Sequence, residues 1–353
     1  MVCAALLVGC ACESGPRWPE IGARVPHLPG QSHDGAPFDL RQQPDVPTTL
    51  LFFGYTFCPD VCPLTLLTLR RVIEGVGATR PLQVVMVTVD PERDTVGRLA
   101  TYVEGFPMKL TAVRPTALDT VKTAFKLSVE HTQVEGAADP TMYTVNHTSS
   151  IFVVHRGRLV ARLAHKTPVP ELVAAVKAVI PASHPAPTSS PAPATRPASQ
   201  PASRPASAPA SQPASRPHST TSTRAARPVE AVPHLSLTEG ALTLPPGAGG
   251  AAAVYLTLHN RGAPDAVLGA TVSGAKHTML HETVMDGDVA KMVHAERWPL
   301  PADARLVLAP GGRHLMVTGL DARPGAPVEV TLQLEAAGPV RFTVTAQPAS
   351  APR

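Results

Sequence analysis

Between Pro181 and Pro228 the chain carries almost nothing large and apolar, and this stretch limits what the polypeptide can fold into. Five tandem Pro-Ala-Ser-x units run from Pro197 to Arg216. Such a tract buries too little apolar surface to offset the entropy of ordering it, so it is expected to be a disordered linker. At about 3.1 Å per residue in polyproline form it reaches on the order of 100 Å. A chain of 353 residues divided in this way has room for two domains with sizeable cores. The tract also accounts for the charge. It holds five Arg and no Lys or acidic residue, and without it the net charge of +4 becomes −1. The basic balance therefore lies on the tether and not on a folded face, which argues against a nucleic-acid partner. No segment approaches the roughly 18 apolar residues of a membrane-spanning helix.

Three of the five cysteines (Cys3, Cys10 and Cys12) fall in the first dozen residues, where an apolar run from Val2 ends Leu7-Val8-Gly9-Cys10. This run resembles a bacterial lipoprotein signal, with Cys10 as the lipid-modified residue. It is short and lacks a basic start, so the true start is expected upstream of Met1. The implied setting is extracytoplasmic, the periplasm, with a lipid anchor on a membrane. The expected division is residues 1–24 as signal and anchor, 25–180 as a first domain, 181–228 as the linker and 229–347 as a second domain.

The first domain alternates strand and helix patterns. Thr48 to Phe53 and Gln83 to Val89 are continuous apolar runs of the buried-strand kind. Leu66, Leu69, Ile73 and Val76 recur at helical spacing after Cys62-Pro63. Thr95 to Glu104, Thr116 to Leu127 and Val169 to Val179 also read as helices. Ser150 to Val154 and Leu159 to Leu163 read as strands joined at Arg156-Gly157. Strands alternating with helices predict an α/β layer fold. Beyond Val229 the pattern changes to short alternating runs broken by Gly, Pro, Asn and Asp, which predicts an all-β sandwich or barrel.

Cys58-Pro59-Asp60-Val61-Cys62 spaces two thiols at i and i+4. A helix beginning near Val61 brings both sulfurs to its N-terminus, where the dipole and free N–H groups favour thiolates. Such a pair can hold one soft ion or close into a disulfide. The surrounding residues Phe52 to Pro63, Val87 to Thr95 and Tyr143 to Ser150 closely resemble the SCO/SenC proteins, over roughly Val25 to Ile180. The resemblance implies a thioredoxin-like fold and a copper site formed by Cys58, Cys62 and His147, holding Cu(I) or Cu(II). Asn146 stands where many members have Asp. It also implies a second role for Cys58 and Cys62, as a redox pair reducing the cysteines of a target.

In the second domain His314 and Met316 alternate on a predicted strand and so share a face. His281 and Met292 are expected from a neighbouring hairpin centred on Asp286-Gly287-Asp288. Thioether and imidazole are neutral, soft ligands that suit Cu(I) over hard ions. The spacing His281-x10-Met292-x21-His314-x-Met316 resembles that of the PCuAC periplasmic copper chaperones, over about Val232 to Thr345, and implies a cupredoxin-like fold. Met279, Met285, His277 and His294 lie close by and read as packing or surface residues. Together the two resemblances imply a copper metallochaperone that passes Cu(I) between its own domains. Its implied destination is the CuA centre in subunit II of cytochrome c oxidase. A dedicated thiol–disulfide oxidoreductase and a copper-sequestering resistance protein are the alternative expectations.

Overall fold

The computed structural model describes residues 19–42, 48–77, 82–134, 141–180, 234–247 and 249–349. The lipidation expected at Cys10 and the linker expected over 181–228 lie outside them. The first domain contains β1 (Pro29–Ser32), β2 (Pro37–Asp39), β3 (Thr48–Gly54), α1 (Val61–Val76), β4 (Leu82–Thr88), α2 (Val96–Glu104) and β5 (Leu110–Pro115). It continues with α3 (Leu118–Phe125), β6 (Val129–Gln133), β7 (Tyr143–Thr148), β8 (Ile151–His155), β9 (Arg158–Leu163) and α4 (Val169–Val179). The sheet order is β2-β1-β5-β4-β3-β8-β9, with β3, β4 and β5 parallel and β8 antiparallel to β3. This is the α/β thioredoxin-like arrangement that the sequence implied.

All seven residues of β3 are buried. A central strand covered on both faces needs an unbroken apolar run, which is what Leu50-Leu51-Phe52-Phe53 supplies. Phe53, Phe125 and Phe152 then pack edge to face at 5.2 to 5.8 Å between ring centres. Two helices are shorter than the apolar pattern predicts. Thr95 is the N-cap of α2, its side chain accepting from Arg98 N, and α3 covers only Leu118–Phe125 because Lys126 turns left-handed at φ 55°.

The second domain is all-β: β10 (Leu235–Leu244), β11 (Ala252–Asn260), β12 (Asp265–Val272), β13 (His277–Asp286) and β14 (Val289–His294). The remaining strands are β15 (Trp298–Leu300), β16 (Arg305–Leu308), β17 (Arg313–Thr318), β18 (Pro327–Leu334) and β19 (Gly338–Pro348). Strict alternation of buried and exposed positions along β18 and β19 turns Val328, Val330, Phe342 and Val344 into the core around Trp298. This agrees with the cupredoxin-like expectation.

The two domains pack as one compact unit. Their meeting line is a strand pair: β14 runs antiparallel to β7, with Val289 opposite Thr148 and Ala290 opposite His147. The face of β13, β14 and β17 turned towards the first domain carries Met279, Met292 and Met316, which belong to that domain's apolar cluster. The opposite face supplies Leu280, Leu315 and Val317 to the β domain's own core.

Candidate metal centres

The first ligand set forms where β3 ends and α1 begins. Strand β3 stops at Gly54, and a Cβ there would lie 2.7 Å from Phe52 Cε2 and 3.1 Å from Cys62 Sγ. Only the missing side chain lets the sulfur settle against the strand. Helix α1 then starts at Val61, with Asp60 as its N-cap residue, so both thiols sit at its N-terminal end. Cys62 N donates to Cys58 Sγ at 3.5 Å. Both cysteines are free and buried. Burial pushes the Cys58 thiol up. Hydrogen bonds from the Cys62 side chain and from the Cys62 and Asp60 N–H groups outweigh this, and the group stands below its ordinary value. Burial and the proton that Cys62 lends to Cys58 hold Cys62 well above its own.

His147 arrives on β7 and is 2 % exposed. Its Nδ1 lies 2.9 Å from the Thr148 carbonyl. A carbonyl only accepts, so Nδ1 carries the proton and Nε2 keeps its lone pair. Nε2 points at Cys62 Sγ, 3.7 Å away. Metal–sulfur and metal–nitrogen bonds of about 2.3 and 2.0 Å at 110–120° place two such ligand atoms ~3.6 Å apart. The pair is therefore already at bridging separation. Burial depresses His147 to about 4, which keeps the ring neutral and able to coordinate at neutral pH. Among the described residues no three Cys, His, Asp or Glu side chains are drawn into a complete coordination sphere. Cys58 Sγ accepts from Cys62 N at the helix start, a contact that a metal-bound thiolate can keep.

A buried frame that the sequence reading quoted without assigning it a role fixes these ligands. Asp94 accepts from Thr56 N, Thr56 Oγ1 and Thr88 Oγ1, pinning the loop before Cys58. Arg93 donates to Asp90 and to the carbonyls of Thr141 and Tyr143, and its guanidinium lies 3.6 Å over the Tyr143 ring. Tyr143 returns a hydrogen bond to Asp90 at 2.7 Å. The Asp90-to-Asp94 motif thus ties the cysteine loop to the strand bearing His147.

The second set stands on the face of β13, β14 and β17 described above. His281 is directly opposite His314, and Met279 opposite Met316, on β13 and β17. Met292 is opposite Thr283 and His294 opposite His281 across the β13–β14 hairpin. Cross-strand partners share a face, and so do residues two apart, so all four expected ligands converge on one side. They are buried, at 2 % for His281, 7 % for Met292, 0 % for His314 and 1 % for Met316. His314 Nδ1 is 3.0 Å from the Gly312 carbonyl, which leaves Nε2 with the lone pair. That Nε2, and Nδ1 of His281, are buried nitrogens without a hydrogen-bond partner among the described residues. Orphaned buried nitrogens in a sulfur-lined pocket fit a soft ion that would satisfy them. Burial, His314 and His294 together depress His281 to about 3. The four neighbours read as packing or surface residues share this face by the same alternation: Met279 is buried, Met285 is partly buried against the first domain's cluster, and His277 and His294 are exposed.

The two sets are not separate. Cys58 and His147 line one cavity with Met292, Thr283 and Ala290, and its free space is about 10 Å³. That is room for roughly one water-sized sphere.

Fold and site together define a two-domain protein in which a thioredoxin-like thiol module and a cupredoxin-like histidine–methionine module turn their soft ligands towards each other. Residues 31–181 match the SCO1/SenC family model and residues 235–346 match the LpqE-like lipoprotein model. The mitochondrial SCO2 homolog of Bos taurus is 34 % identical over 108 residues, 30 % of this chain and 40 % of that protein. The chain thus spans about two fifths of that relative's length. Copper-bound ScoI of Bradyrhizobium japonicum is 28 % identical with a TM-score of 0.39, covering 45 % of this chain and 99 % of its own. The copper-bound PCuAC domain from PmoF2 is 23 % identical with a TM-score of 0.29, covering 35 % of this chain and 97 % of its own.

Proposed function

We propose that this protein is a copper metallochaperone that carries Cu(I) on two sites, Cys58/Cys62/His147 and His281/Met292/His314/Met316. The observation that supports it most is the pairing of buried, lone-pair-bearing imidazole nitrogens with thiol and thioether sulfur in both domains. Such donors select a soft monovalent ion. The SCO1/SenC and LpqE-like matches support copper as the ion, and the destination that this reading adds is the CuA centre of cytochrome c oxidase subunit II. Export, with lipid on Cys10, belongs to the same reading and rests on the Leu7-to-Cys10 run alone.

Titration of the reduced full chain with Cu(I) against a chromophoric chelator tests the reading. Two ions per chain are expected, falling to one in Cys58→Ser/Cys62→Ser and to one in His281→Ala/His314→Ala. A reduced chain that takes up no Cu(I) sinks it. A second reading, thiol–disulfide reduction of the target's cysteines, is favoured by the opposed thiols: Cys58 held low and Cys62 held high make one a ready nucleophile. Under it His147→Ala keeps activity while Cys58→Ser abolishes it; the carrier reading requires loss in both.

A further inference from the structure

Asp60 lies between the two cysteines in sequence and is completely buried. Among the described residues, every hydrogen bond that its carboxylate accepts comes from the other domain. Tyr255 Oη donates to Oδ1 at 3.0 Å, Thr283 Oγ1 to Oδ2 at 2.7 Å, and Gly311 N to both oxygens at 2.8 and 3.1 Å. His314 Nδ1, on a proposed ligand, is 3.9 Å from Oδ2. The donors come from β11, β13 and the turn before β17, three separate places that only the packed domains bring to one point. A buried carboxylate without such donors would be strongly disfavoured, so this group discriminates between packed and separated domains.

A second contact lies next to the first imidazole. Asn146 Oδ1 accepts from Met292 N at 3.0 Å, and Ser149 N donates to the Asp288 carbonyl at 2.9 Å. Because His147 is opposite Ala290, and Met292 is two residues further along β14, His147 and Met292 point to the same face of the ladder. Diagonal neighbours of this kind have Cα atoms about 7–8 Å apart, within reach of a flexible thioether. Their shared cavity also contains Cys58.

Resting on the copper-carrier reading, we propose that Asp60 is a docking residue and that docking creates a third, composite copper site from Cys58, His147 and Met292. The ion crosses between domains at this site by ligand exchange. A bond from copper to the Met292 sulfur is held in common, the bonds to His281, His314 and Met316 break, and bonds to His147 Nε2 and Cys58 Sγ form. Copper stays Cu(I) throughout, and the proton of each thiol that becomes a ligand leaves to the buffer. Cys58, His147 and Met292 line this one cavity, so the exchange needs no path through bulk solvent between separate pockets.

The test uses the full chain with Tyr255→Phe/Thr283→Val, which removes two of the donors to Asp60 without touching a ligand, and with Asp60→Ala. In the metal-free state, amide exchange over 146–148 and 289–292 is expected to quicken at least tenfold in both variants. Thr283→Ser, which keeps the hydroxyl, should retain wild-type protection. With one equivalent of Cu(I), imidazole resonances of His147 and His281 report movement of the ion. In both proteins that rate is expected to be independent of chain concentration, because the domains share one chain, and in Tyr255→Phe/Thr283→Val to be at least tenfold slower. Unchanged protection in both variants overturns Asp60 as the docking residue. A wild-type rate that scales with concentration, or one that Met292→Leu leaves unaltered, overturns the composite site. If the metal-free chain behaves as expected but binds no copper, the docking residue stands while the composite site and the carrier reading fall together. If both variants still bind two ions, the carrier reading survives whatever the docking results show.

Discussion

Replacing Gly54 by Ala probes the first site most directly, because the structure states what the added methyl would meet. It would lie 2.7 Å from Phe52 Cε2 and 3.1 Å from Cys62 Sγ. The ring is 1 % exposed in the central strand and Cys62 is fixed at the first turn of α1, so neither yields freely. Forcing extra carbon into such a core costs about 1–3 kcal/mol. For a domain of this size that corresponds to a melting temperature lower by about 2–12 °C. The same displacement moves a sulfur that already stands at bridging distance from His147, so Cu(I) affinity at the Cys58/Cys62 site should fall by roughly tenfold for each 1.4 kcal/mol. Gly97 is the control: it is in α2 with nothing within 4 Å of the added carbon. Gly97→Ala should stabilise by about 0.5–1 kcal/mol through helix propensity and leave copper affinity unchanged. Calorimetry of the metal-free chains and competition with a Cu(I) chelator give both numbers. If Gly54→Ala melts and binds like Gly97→Ala, the packing argument for that glycine is wrong.

Other outcomes follow from the same geometry. Burial holds His147 at about 4 against an ordinary 6.5, so between these values the unfolded chain binds a proton that the folded chain excludes. Stability present above pH 6.5 is therefore lost as pH falls towards 4, by on the order of 3 kcal/mol, and urea midpoints should show a shallower decline in His147→Gln. Arg93→Lys loses the guanidinium fork to Asp90 and two carbonyls and the stack on Tyr143, and should cost on the order of 2 kcal/mol. Its Cu(I) affinity should fall at the thiol site and hold at the other, as read by chelator competition on each site's signal. His314→Ala should lower Cu(I) stoichiometry from two to one and leave the Cys58/Cys62 ion in place, checked by titration and sulfur-to-copper charge-transfer absorption.

Local physics made much of this legible beforehand. Helix α4 occupies Val169–Val179 as its apolar spacing predicts, and α1 begins at Val61, where the cysteine spacing needs a helix start. The His–Met face follows from two-residue alternation on β17 and from the Asp286-Gly287-Asp288 turn that closes β13 onto β14. Strands β6 and β7 went unread because Val-Glu-His-Thr-Gln and Tyr-Thr-Val-Asn-His-Thr are polar; they pair with each other and, through β7, with the second domain. The Asp60 contacts were also hidden. Its partners Tyr255, Thr283 and Gly311 are 195, 223 and 251 residues away, and no periodicity links a helix cap to donors that distant. A signal was nonetheless present: β13 and β17 alternate two kinds of apolar residue, Leu and Val on one face and Met on the other. A sheet face rich in Met has to be covered, and the alternation does not say by what.

Charge explains why a carboxylate suits the position between the two sites. Two thiolates and an imidazole around Cu(I) total −1, whereas two imidazoles and two thioethers leave the ion's own +1. The Asp60 charge opposes ionisation of the Cys58 thiol, and its Oδ2 is 3.9 Å from His314 Nδ1 on the other set. While the domains are packed, the carboxylate therefore favours the cationic site over the thiolate site. Separation hydrates Asp60, removes that bias and uncovers Cys58, Cys62 and His147 together. In the proposed carrier the thiolate pair would thus become the stronger holder when another protein can reach it. Both domains belong to one chain, so the packed state re-forms at an effective concentration of roughly millimolar, without a search for a partner. In the proposed carrier, docking and delivery would in this way be alternative states of one molecule, exchanged through the hydrogen bonds to a single buried side chain.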